Sequence, residues 1–300
     1  MIFYVNNKLP SFICIGAQRA GSTWLYENLK AHPGIWLPPL KELHYFDELR
    51  MGPFFSKRYK GLLQRRLRAN KAGLRTGQWS AADFLWDLKF FGLPRSDHWY
   101  SSLFSQGQTF VAGEVTPAYS MLSAEAVADI KRINPALKII FIMRDPIDRS
   151  WSQARKDLPR VFNKAIDQIP EKEVISWFNK HWCALRSDYV STLSHWFAHF
   201  PRHQFFFGFF EEVAQSPENL LIRIYAFLEV ENSKKYIPSN ARKTINAIGQ
   251  TKGVRAFISP QYEYELARIH EPKLAKLKQM FEPYPERWYQ RCIDVLNQQR

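Results

Sequence analysis

The feature that most constrains the fold is a short apolar segment that ends in a glycine-containing loop. The segment Phe12-Ile-Cys-Ile15 has the length of a buried strand, and a helix-like segment, Ser22–Ala31, follows it closely. Between them lie Gly16 and Gly21, whose spacing is typical of a loop in which backbone N–H groups and a helix N-terminus surround a phosphate. The sequence therefore predicts a strand, a phosphate-binding loop and a helix in succession.

Two later segments repeat the alternation of strand and helix. Lys138–Met143 predicts a strand followed by a helix over Ile147–Lys156, and Gln204–Phe210 predicts a strand followed by a helix from Ser216-Pro217 to Leu228. Short apolar runs that alternate with helices are typical of a parallel sheet covered on both faces. We expect an α/β fold, with a P-loop-type central parallel β-sheet flanked by helices on both faces, in a single domain over residues 1–300.

Residues from about 50 to 105 are expected to form an insertion in that domain. The stretch Lys57–Arg75 is strongly basic and predicts a loop or a helix, and Phe84–Tyr100 is rich in aromatic side chains. Two interpretations stay open for these side chains. Either these side chains shape a site for a substrate, or the aromatic residues belong to the core and the cations to a solvated surface.

The net charge limits the classes of partner. Lysine and arginine number 42 against 28 acidic residues, which gives a formal charge of +14 and favours anionic partners such as nucleotides, nucleic acid, acidic polysaccharides or a membrane surface. Charge alone does not choose among them. The sequence carries no helix-turn-helix, zinc-finger or RNA-recognition motif, so a polyanion- or nucleic-acid-binding protein is kept only as an alternative.

The cysteines indicate a reducing compartment. Cys14, Cys183 and Cys292 are far apart and odd in number, and they lack the spacing of a disulfide framework or of a zinc site. No apolar run is long enough to span a bilayer, and the amino terminus does not have the pattern of a secretory signal. We expect a cytoplasmic protein with no membrane anchor and no metal.

The loop after the first strand departs from the pattern of nucleoside-triphosphate hydrolases and kinases. Position 22 is Ser, where the GxxxxGK[ST] pattern places the Lys that neutralises the outer phosphates. Arg19 is a cation within the loop that is available instead. This substitution counts against a nucleotide-dependent kinase, which remains a second alternative.

The whole stretch from Gly16 to Leu25, GAQRAGSTWL, resembles the 5′-phosphosulfate-binding loop of the sulfotransferases that use 3′-phosphoadenosine 5′-phosphosulfate (PAPS). The resemblance implies that PAPS is the co-substrate. It assigns the binding of the phosphosulfate group to the side chains and amides of the loop residues Arg19, Ala20, Gly21, Ser22 and Thr23.

Two further segments resemble the 3′-phosphate site of that family. The segment from Ile139 to Ser152 has a strand that ends in Arg144, with Ser152 eight residues later on the predicted helix. An arginine fork and a helix hydroxyl can converge on one phosphate, to which the arginine donates charge-assisted bonds. Late in the chain, Lys252 and Gly253 match the loop that closes over the nucleotide in the family.

Arg149 lies on the same predicted helix as Ser152, and its spacing suggests a salt bridge rather than a place in the site.

The segment KELHYF, which begins at Lys41, resembles the part of bacterial and heparan sulfate sulfotransferases that supplies the general base. The resemblance makes Glu42 the base, because a partly buried carboxylate can take the proton of an attacking hydroxyl. If the segment is extended, Glu42 and His44 point the same way and Lys41 points away, whereas a loop would bring Lys41 to the sulfuryl oxygens. His44 is a second base candidate or a substrate-binding group, and Arg19 and Lys252 are expected to stabilise developing charge.

The segment GEVTPAYS, which begins at Gly113, resembles the family segment that lines the acceptor pocket. Glu114 and Thr116 are the substrate-binding candidates, with contact to substrate and support of the loop left open for Glu114. Family members that act on heparan sulfate commonly have Lys after this Glu, whereas this chain has Val115. The resemblance thus implies transfer of a sulfuryl group to a hydroxyl or amine, with a carbohydrate among the acceptors considered.

Overall fold

A computed structural model of the protein describes residues 9–47, 57–239, 241 and 258–298. Within these ranges the core is a sheet of parallel strands in the order β2-β3-β1-β4-β5. The strands are β1 (Phe12–Gly16), β2 (Ile35–Trp36), β3 (Val111–Val115), β4 (Lys138–Met143) and β5 (Phe205–Phe209). The predicted α/β fold with a central parallel sheet is confirmed.

Helices connect and cover the strands. They are α1 (Ser22–Lys30), α2 (Lys57–Thr76), α3 (Ala81–Gly92), α4 (Asp97–Ser102), α5 (Ala124–Ile133), α6 (Pro146–Phe162), α7 (Glu171–Phe178), α8 (His181–Leu185), α9 (Tyr189–Phe197), α10 (Phe210–Gln215), α11 (Pro217–Leu228), α12 (Pro260–Leu277) and α13 (Tyr284–Asn297). Every residue of β1 is buried, as in a strand that helices cover on both faces. In the described ranges no helix is long and apolar enough to cross a membrane.

The strand order places the ends of several strands side by side. β1 lies between β3 and β4, and β5 follows β4. Because all these strands are parallel, the loops that leave their carboxyl ends meet at one edge of the sheet, which is where α/β proteins bind ligands. The glycine loop, Thr116, Arg144 and Phe210 all lie at this edge.

The elements agree with the sequence prediction except at their ends. The observed β5 is one residue shorter at each end than predicted, and the short helix α10 separates it from α11, whose first residue is Pro217 as expected. Helix α6 extends six residues beyond the predicted end at Lys156 and passes Pro159. Proline removes one backbone hydrogen bond, but the buried side chain of Leu158 keeps this turn of the helix against the core. The helix ends at Asn163, which adopts a left-handed conformation.

The segment between β2 and β3 forms α2, α3 and α4. The basic stretch is a helix, and its Arg66 donates from Nε to Asp87 Oδ1 of α3 at 2.7 Å. The aromatic side chains Trp86, Phe90 and Trp99 are almost fully buried. These aromatic residues therefore belong to the core, which is the second of the two interpretations given above.

Gly113 marks the tightest contact between β1 and β3. It lies opposite Phe12 in the register, and a Cβ added at this position would lie 2.4 Å from the Phe12 ring. Only glycine leaves room for the aromatic ring at the centre of the sheet.

We expect Gly113→Ala to lower the free energy of unfolding by about 1 to 3 kcal/mol, the usual cost of overpacking a core. Thermal and urea unfolding measure the change. Gly61→Ala is the matched control, since Gly61 lies within α2 and a Cβ added there would meet no other atom within 4 Å. That control gains about 0.5 to 1 kcal/mol from helix propensity. Equal stability of Gly113→Ala and the wild type would contradict the close contact with Phe12.

Candidate functional site

The glycine loop ends at the amino terminus of α1. Gly21 takes the N-cap position with φ of 89°, a left-handed conformation that glycine adopts without steric cost, and no side chain of the described residues caps the helix. Ser22 and Thr23 occupy the first turn. Amides at such a helix terminus, together with the positive end of the helix dipole, form a site for an anionic group.

Lys41 brings a positive charge to this loop from another part of the chain. Its Nζ atom lies 3.2 Å from Ser22 Oγ, 3.3 Å from Thr23 Oγ1 and 3.2 Å from Glu42 Oε1. The segment is not extended, because Glu42 and His44 have φ of 70° and 53°, so the second of the two geometries considered for Lys41 applies. The left-handed backbone makes this segment a loop, and Lys41 supplies the cation that position 22 lacks.

Glu42, His44 and Asp47 form a linked row of side chains. The Nε2 atom of His44 lies 3.0 Å from Glu42 Oε2, and its Nδ1 atom lies 2.6 Å from Asp47 Oδ2. Carboxylates only accept hydrogen bonds, so both contacts are satisfied when both ring nitrogens carry protons. In that state His44 donates to the carboxylate of Glu42 and holds it in place.

Asp47 was not predicted from the sequence. Its position three residues after His44 is the one signal that could have found it, because the chain turns into a helix at Tyr45 and residues three apart then face each other.

Glu42 is ionised in this setting. Burial alone would raise the pKa of Glu42, but the hydrogen bond from His44 and the charge of Lys41 outweigh burial and lower the pKa to about 2. The carboxylate is partly exposed, with 30% of its side-chain surface accessible, so an acceptor can reach it. A carboxylate with this pKa is a weak base until one of its cationic partners is drawn away.

A buried hydrogen-bond network supports the segment 41–47. Thr116 accepts from the backbone N–H of Leu43 at 3.1 Å and donates to Glu114 at 2.6 Å. The hydroxyl of Tyr119 accepts from the backbone N–H of Tyr45 at 3.0 Å and contacts the same carboxylate. The residues on either side of His44 are thus fixed to strand β3 and the turn after it.

Glu114 and Thr116 are placed differently from the substrate-binding residues that we expected. Both side chains are buried, and Tyr100 also donates to Glu114, at 2.6 Å. With their oxygens turned to protein donors and acceptors, these two residues support the loop. Of the two roles left open for Glu114, the geometry favours this one.

A second cluster of polar side chains adjoins the glycine loop through Arg19. Arg144 Nη1 donates to the carbonyl of Arg19 at 3.0 Å, and Arg19 Nε donates to Ser152 Oγ at 3.1 Å. The guanidinium of Arg144 lies over the ring of Phe210, 4.4 Å from its centroid. The sequence-predicted residues Arg19, Arg144 and Ser152 therefore lie together at the edge of the sheet.

Arg144 retains capacity to bind an anion. Its Nε is buried and has no hydrogen-bond partner among the described residues. Burial lowers the pKa of Arg144, and burial together with repulsion from Arg144 lowers the pKa of Arg19. Two such cations held side by side are stabilised when a negatively charged group binds between them.

The prediction of a salt bridge for Arg149 is wrong. The side chain is fully buried, and in the described part of the chain its partners are the hydroxyls of Ser187 and Ser150 and the carbonyl of Cys183. Burial lowers the pKa of Arg149 to about 10. Helix α6 carries this residue toward the interior, where hydroxyls rather than carboxylates surround it.

Two of the predicted residues, Lys252 and Gly253, lie outside the described residues. Ala241 is described, and its carbonyl accepts a hydrogen bond from Trp24 Nε1 of α1 at 2.9 Å. Among the residues that the structure describes, no group of three or more His, Cys, Asp or Glu side chains could hold a metal ion.

Comparison with known proteins identifies the family. Residues 10–234, about three quarters of the chain, match the model of the Sulfotransferase family, and the chain belongs to this family. Human heparan sulfate glucosamine 3-O-sulfotransferase 3B1 is 24% identical over 310 residues, which cover 95% of this chain and 64% of the relative. The human enzyme named 3-O-sulfotransferase 6 is 22% identical over 292 residues, which cover 94% and 72%. The chain spans less than two thirds of the length of the 3B1 and 3A1 relatives.

Solved structures show the same fold. A sulfotransferase from Alicyclobacillus acidocaldarius superposes with a TM-score of 0.58 at 21% identity, covering 91% of this chain and 96% of that one. A sulfotransferase domain from the curacin biosynthetic pathway gives a TM-score of 0.54 at 16% identity. The superposition covers 88% of this chain and 98% of that domain. These similarities confirm the expected P-loop-type architecture.

Glu114 makes stability depend on pH. Burial raises its pKa to about 7, although the hydroxyls that donate to it act in the opposite direction. Since its folded pKa exceeds the ordinary value of 4.5, the folded protein binds this proton more tightly than the unfolded chain does. The contribution of Glu114 to the free energy of unfolding is therefore most favourable below about pH 4.5 and is lost as the pH rises toward 7.

We expect the melting temperature of Glu114→Gln to rise relative to that of the wild type as the pH increases from about 4.5 to about 7, and the difference to stay constant above that range. Thermal unfolding of both proteins across pH 4 to 9 measures it. Glu286→Gln, at an exposed carboxylate in the first turn of α13, serves as the control and should show no such trend. A difference independent of pH for Glu114→Gln would contradict the expected raised pKa.

Proposed function

We propose that this protein transfers a sulfuryl group from PAPS to a hydroxyl or amine of an acceptor. The observation that carries the proposal is a pair of anion sites joined by Arg19, one at the glycine loop with Lys41 and one formed by Arg144 and Ser152. PAPS has two anionic ends of this kind, a phosphosulfate on its 5′ side and a phosphate on its 3′ side.

The residues present fit this nucleotide. The uncapped amino terminus of α1, with Ala20, Gly21, Ser22 and Thr23, offers donors to the phosphosulfate. The buried and unpartnered Nε of Arg144, within the described part of the chain, offers a donor to the 3′-phosphate. We assign Lys252 and Gly253 to the same nucleotide from the family resemblance.

Glu42 is the proposed general base. In the reaction the acceptor oxygen forms a bond to sulfur, the bond between sulfur and the bridging oxygen breaks, and Glu42 receives the acceptor proton. Lys41 and Arg19 face the negative charge that develops on the 5′-phosphate of the leaving nucleotide. His44, held by Asp47, keeps the carboxylate of Glu42 turned toward the acceptor.

Lys41 couples nucleotide binding to the basicity of Glu42. The lysine contacts both the hydroxyls of the glycine loop and the Glu42 carboxylate. An anionic group in the loop attracts Lys41 and weakens its hold on Glu42, which raises the pKa of Glu42 from its low resting value. The base therefore gains strength when the sulfuryl donor is in place.

We propose a carbohydrate as the acceptor. The relatives' names refer to heparan sulfate, and basic side chains continue along α6 beyond Ser152, at Lys156 and Arg160. Lys156 lies close enough to Arg19 and Glu42 for their charges to affect its pKa, which burial lowers. These cations favour an anionic polymer, although Val115 replaces a lysine that is common in family members acting on heparan sulfate.

The three cysteines, Cys14, Cys183 and Cys292, are buried thiols without disulfide bonds. This supports our proposal of a reducing, cytoplasmic location.

We expect tight binding of 3′-phosphoadenosine 5′-phosphate (PAP) and much weaker binding of adenosine 5′-phosphate (AMP) to the wild type. Arg144→Ala should weaken PAP binding about 100-fold, because a charge-assisted hydrogen bond of the 3′-phosphate is lost, and leave AMP binding nearly unchanged. Calorimetric titration measures both affinities.

Arg132→Ala is the matched control, since it removes an arginine from an exposed ion pair with Asp97. Equal affinity of the wild type for PAP and AMP would refute PAPS as the sulfuryl donor, and preferential binding of a magnesium nucleoside triphosphate would favour a kinase.

For catalysis, Glu42→Gln should lower kcat about 100- to 10,000-fold while PAP affinity stays within a few-fold, because an amide cannot accept the proton. Transfer of radiolabelled sulfuryl from PAPS to heparan sulfate and to a panel of simpler hydroxyl compounds measures the rate. Glu27→Gln, on the exposed face of α1, is the control. Unchanged kcat in Glu42→Gln would show that another group removes the proton.

A further inference from the structure

The last helix of the described chain reaches the proposed 3′-phosphate site. The family match ends at residue 234, so α12 and α13 lie beyond it. Arg291 of α13 donates from Nη1 to Asp145 Oδ2 at 2.8 Å and to Asp148 Oδ1 at 3.0 Å. It also donates from Nη2 to Glu263 of α12 at 2.6 Å. One guanidinium thus ties both carboxyl-terminal helices to the start of α6.

Asp145 is the residue next to Arg144. Its carboxylate is buried, and its other oxygen, Oδ1, accepts from the backbone N–H of Ile147 at 2.8 Å, as the N-cap of α6. By fixing Asp145, Arg291 therefore fixes the backbone from which the side chain of Arg144 extends.

A second contact from α13 acts on the residue that follows Phe210. Trp288 Nε1 donates to Glu211 Oε1 at 2.7 Å, and Glu211 follows Phe210, the residue whose ring lies beneath the Arg144 guanidinium. The Trp288 ring also packs against Phe209 at the end of β5. Helix α13 thus contacts both the start of α6 and the start of α10, the two elements whose residues adjoin Arg144.

Charge gives Arg291 a further role. Asp145 and Asp148 lie near enough to Arg144 for their negative charges to raise its pKa. Without Arg291 these carboxylates would compete with a phosphate for Arg144 and would repel the phosphate. With Arg291 in place, their charge is engaged by a different cation.

We infer that Arg291 and Trp288 of α13 are positioning residues for the 3′-phosphate, holding Arg144 in place and keeping Asp145 and Asp148 from pairing with it. The inference rests on the proposed function, because it assumes that Arg144 binds the 3′-phosphate. It makes helices outside the matched family segment part of the nucleotide site.

Calorimetric titration of the full chain with PAP and with AMP tests the inference. Arg291→Gln should weaken PAP binding about 10-fold, the effect of about 1.4 kcal/mol, and leave AMP binding unchanged. Trp288→Phe keeps the aromatic ring, removes the donor to Glu211, and should reduce PAP affinity a few-fold in the same selective way. Arg287→Gln, on an exposed position of the same helix, is the matched control with wild-type affinities.

A rescue experiment separates positioning from general stability. In the Arg291→Gln background, Asp145→Asn and Asp148→Asn together remove the competing charges, and Asn still caps α6. This triple variant should recover the part of the preference for PAP over AMP that depends on charge, although the tie from α13 to Asp145 is still weakened. A merely structural role would lower the melting temperature, weaken PAP and AMP alike and show no rescue.

The outcomes distinguish the two proposals. The role of α13 alone is overturned if the wild type prefers PAP and the variants Arg291→Gln and Trp288→Phe keep the full preference. The same conclusion follows if these variants lose affinity for both nucleotides equally. A wild type without preference for PAP overturns the proposed function and the role of α13 with it.

Discussion

Positive charge that is partly removed from water at the carboxyl edge of the sheet is the constraint around which the site is organised. Arg19 and Arg144 lie side by side there, and Arg149 is fully buried among hydroxyls one turn further along α6. Removing cations from water is costly unless negative charge compensates, and the nearby carboxylates of Asp145 and Asp148 are engaged by Arg291. If the protein binds the proposed nucleotide, the two anionic ends of that ligand supply further compensation, and binding stabilises the fold around the site.

The position of Lys41 changes how the glycine loop is compared with that of kinases. In sequence, the lysine of the phosphate-binding pattern is absent at Ser22, but in space Lys41 contacts the hydroxyls of Ser22 and Thr23. Absence of a lysine from the loop therefore does not by itself separate the two classes of enzyme. The proposed binding of a 3′-phosphate by Arg144 would separate them, because a nucleoside triphosphate has no 3′-phosphate.

Much of the fold could be predicted from the sequence, because short apolar runs, glycines and helix start signals are local properties. The proximity of Arg19, Arg144 and Ser152 was expected from the family resemblance, whereas most other contacts between distant segments were not predicted. A sequence does not show that Glu42 and His44 adopt left-handed backbone, which turns Lys41 toward the glycine loop. Nor does it show that Arg149 points into the core or that Arg291 reaches Asp145, since tertiary packing sets both.

The hydrogen-bond network that supports the segment 41–47 has a consequence for how such a protein could diversify. The carboxylate of Glu42 is oriented by His44, and the backbone around His44 is tied to Glu114, Thr116 and Tyr119 on the sheet side. These ties run from the backbone N–H groups of Leu43 and Tyr45 to Thr116 and Tyr119 in the turn after β3. If Glu42 is the base, as proposed, substitutions outside this network leave the carboxylate in place, and one reaction can be directed to new acceptors with the same chemistry.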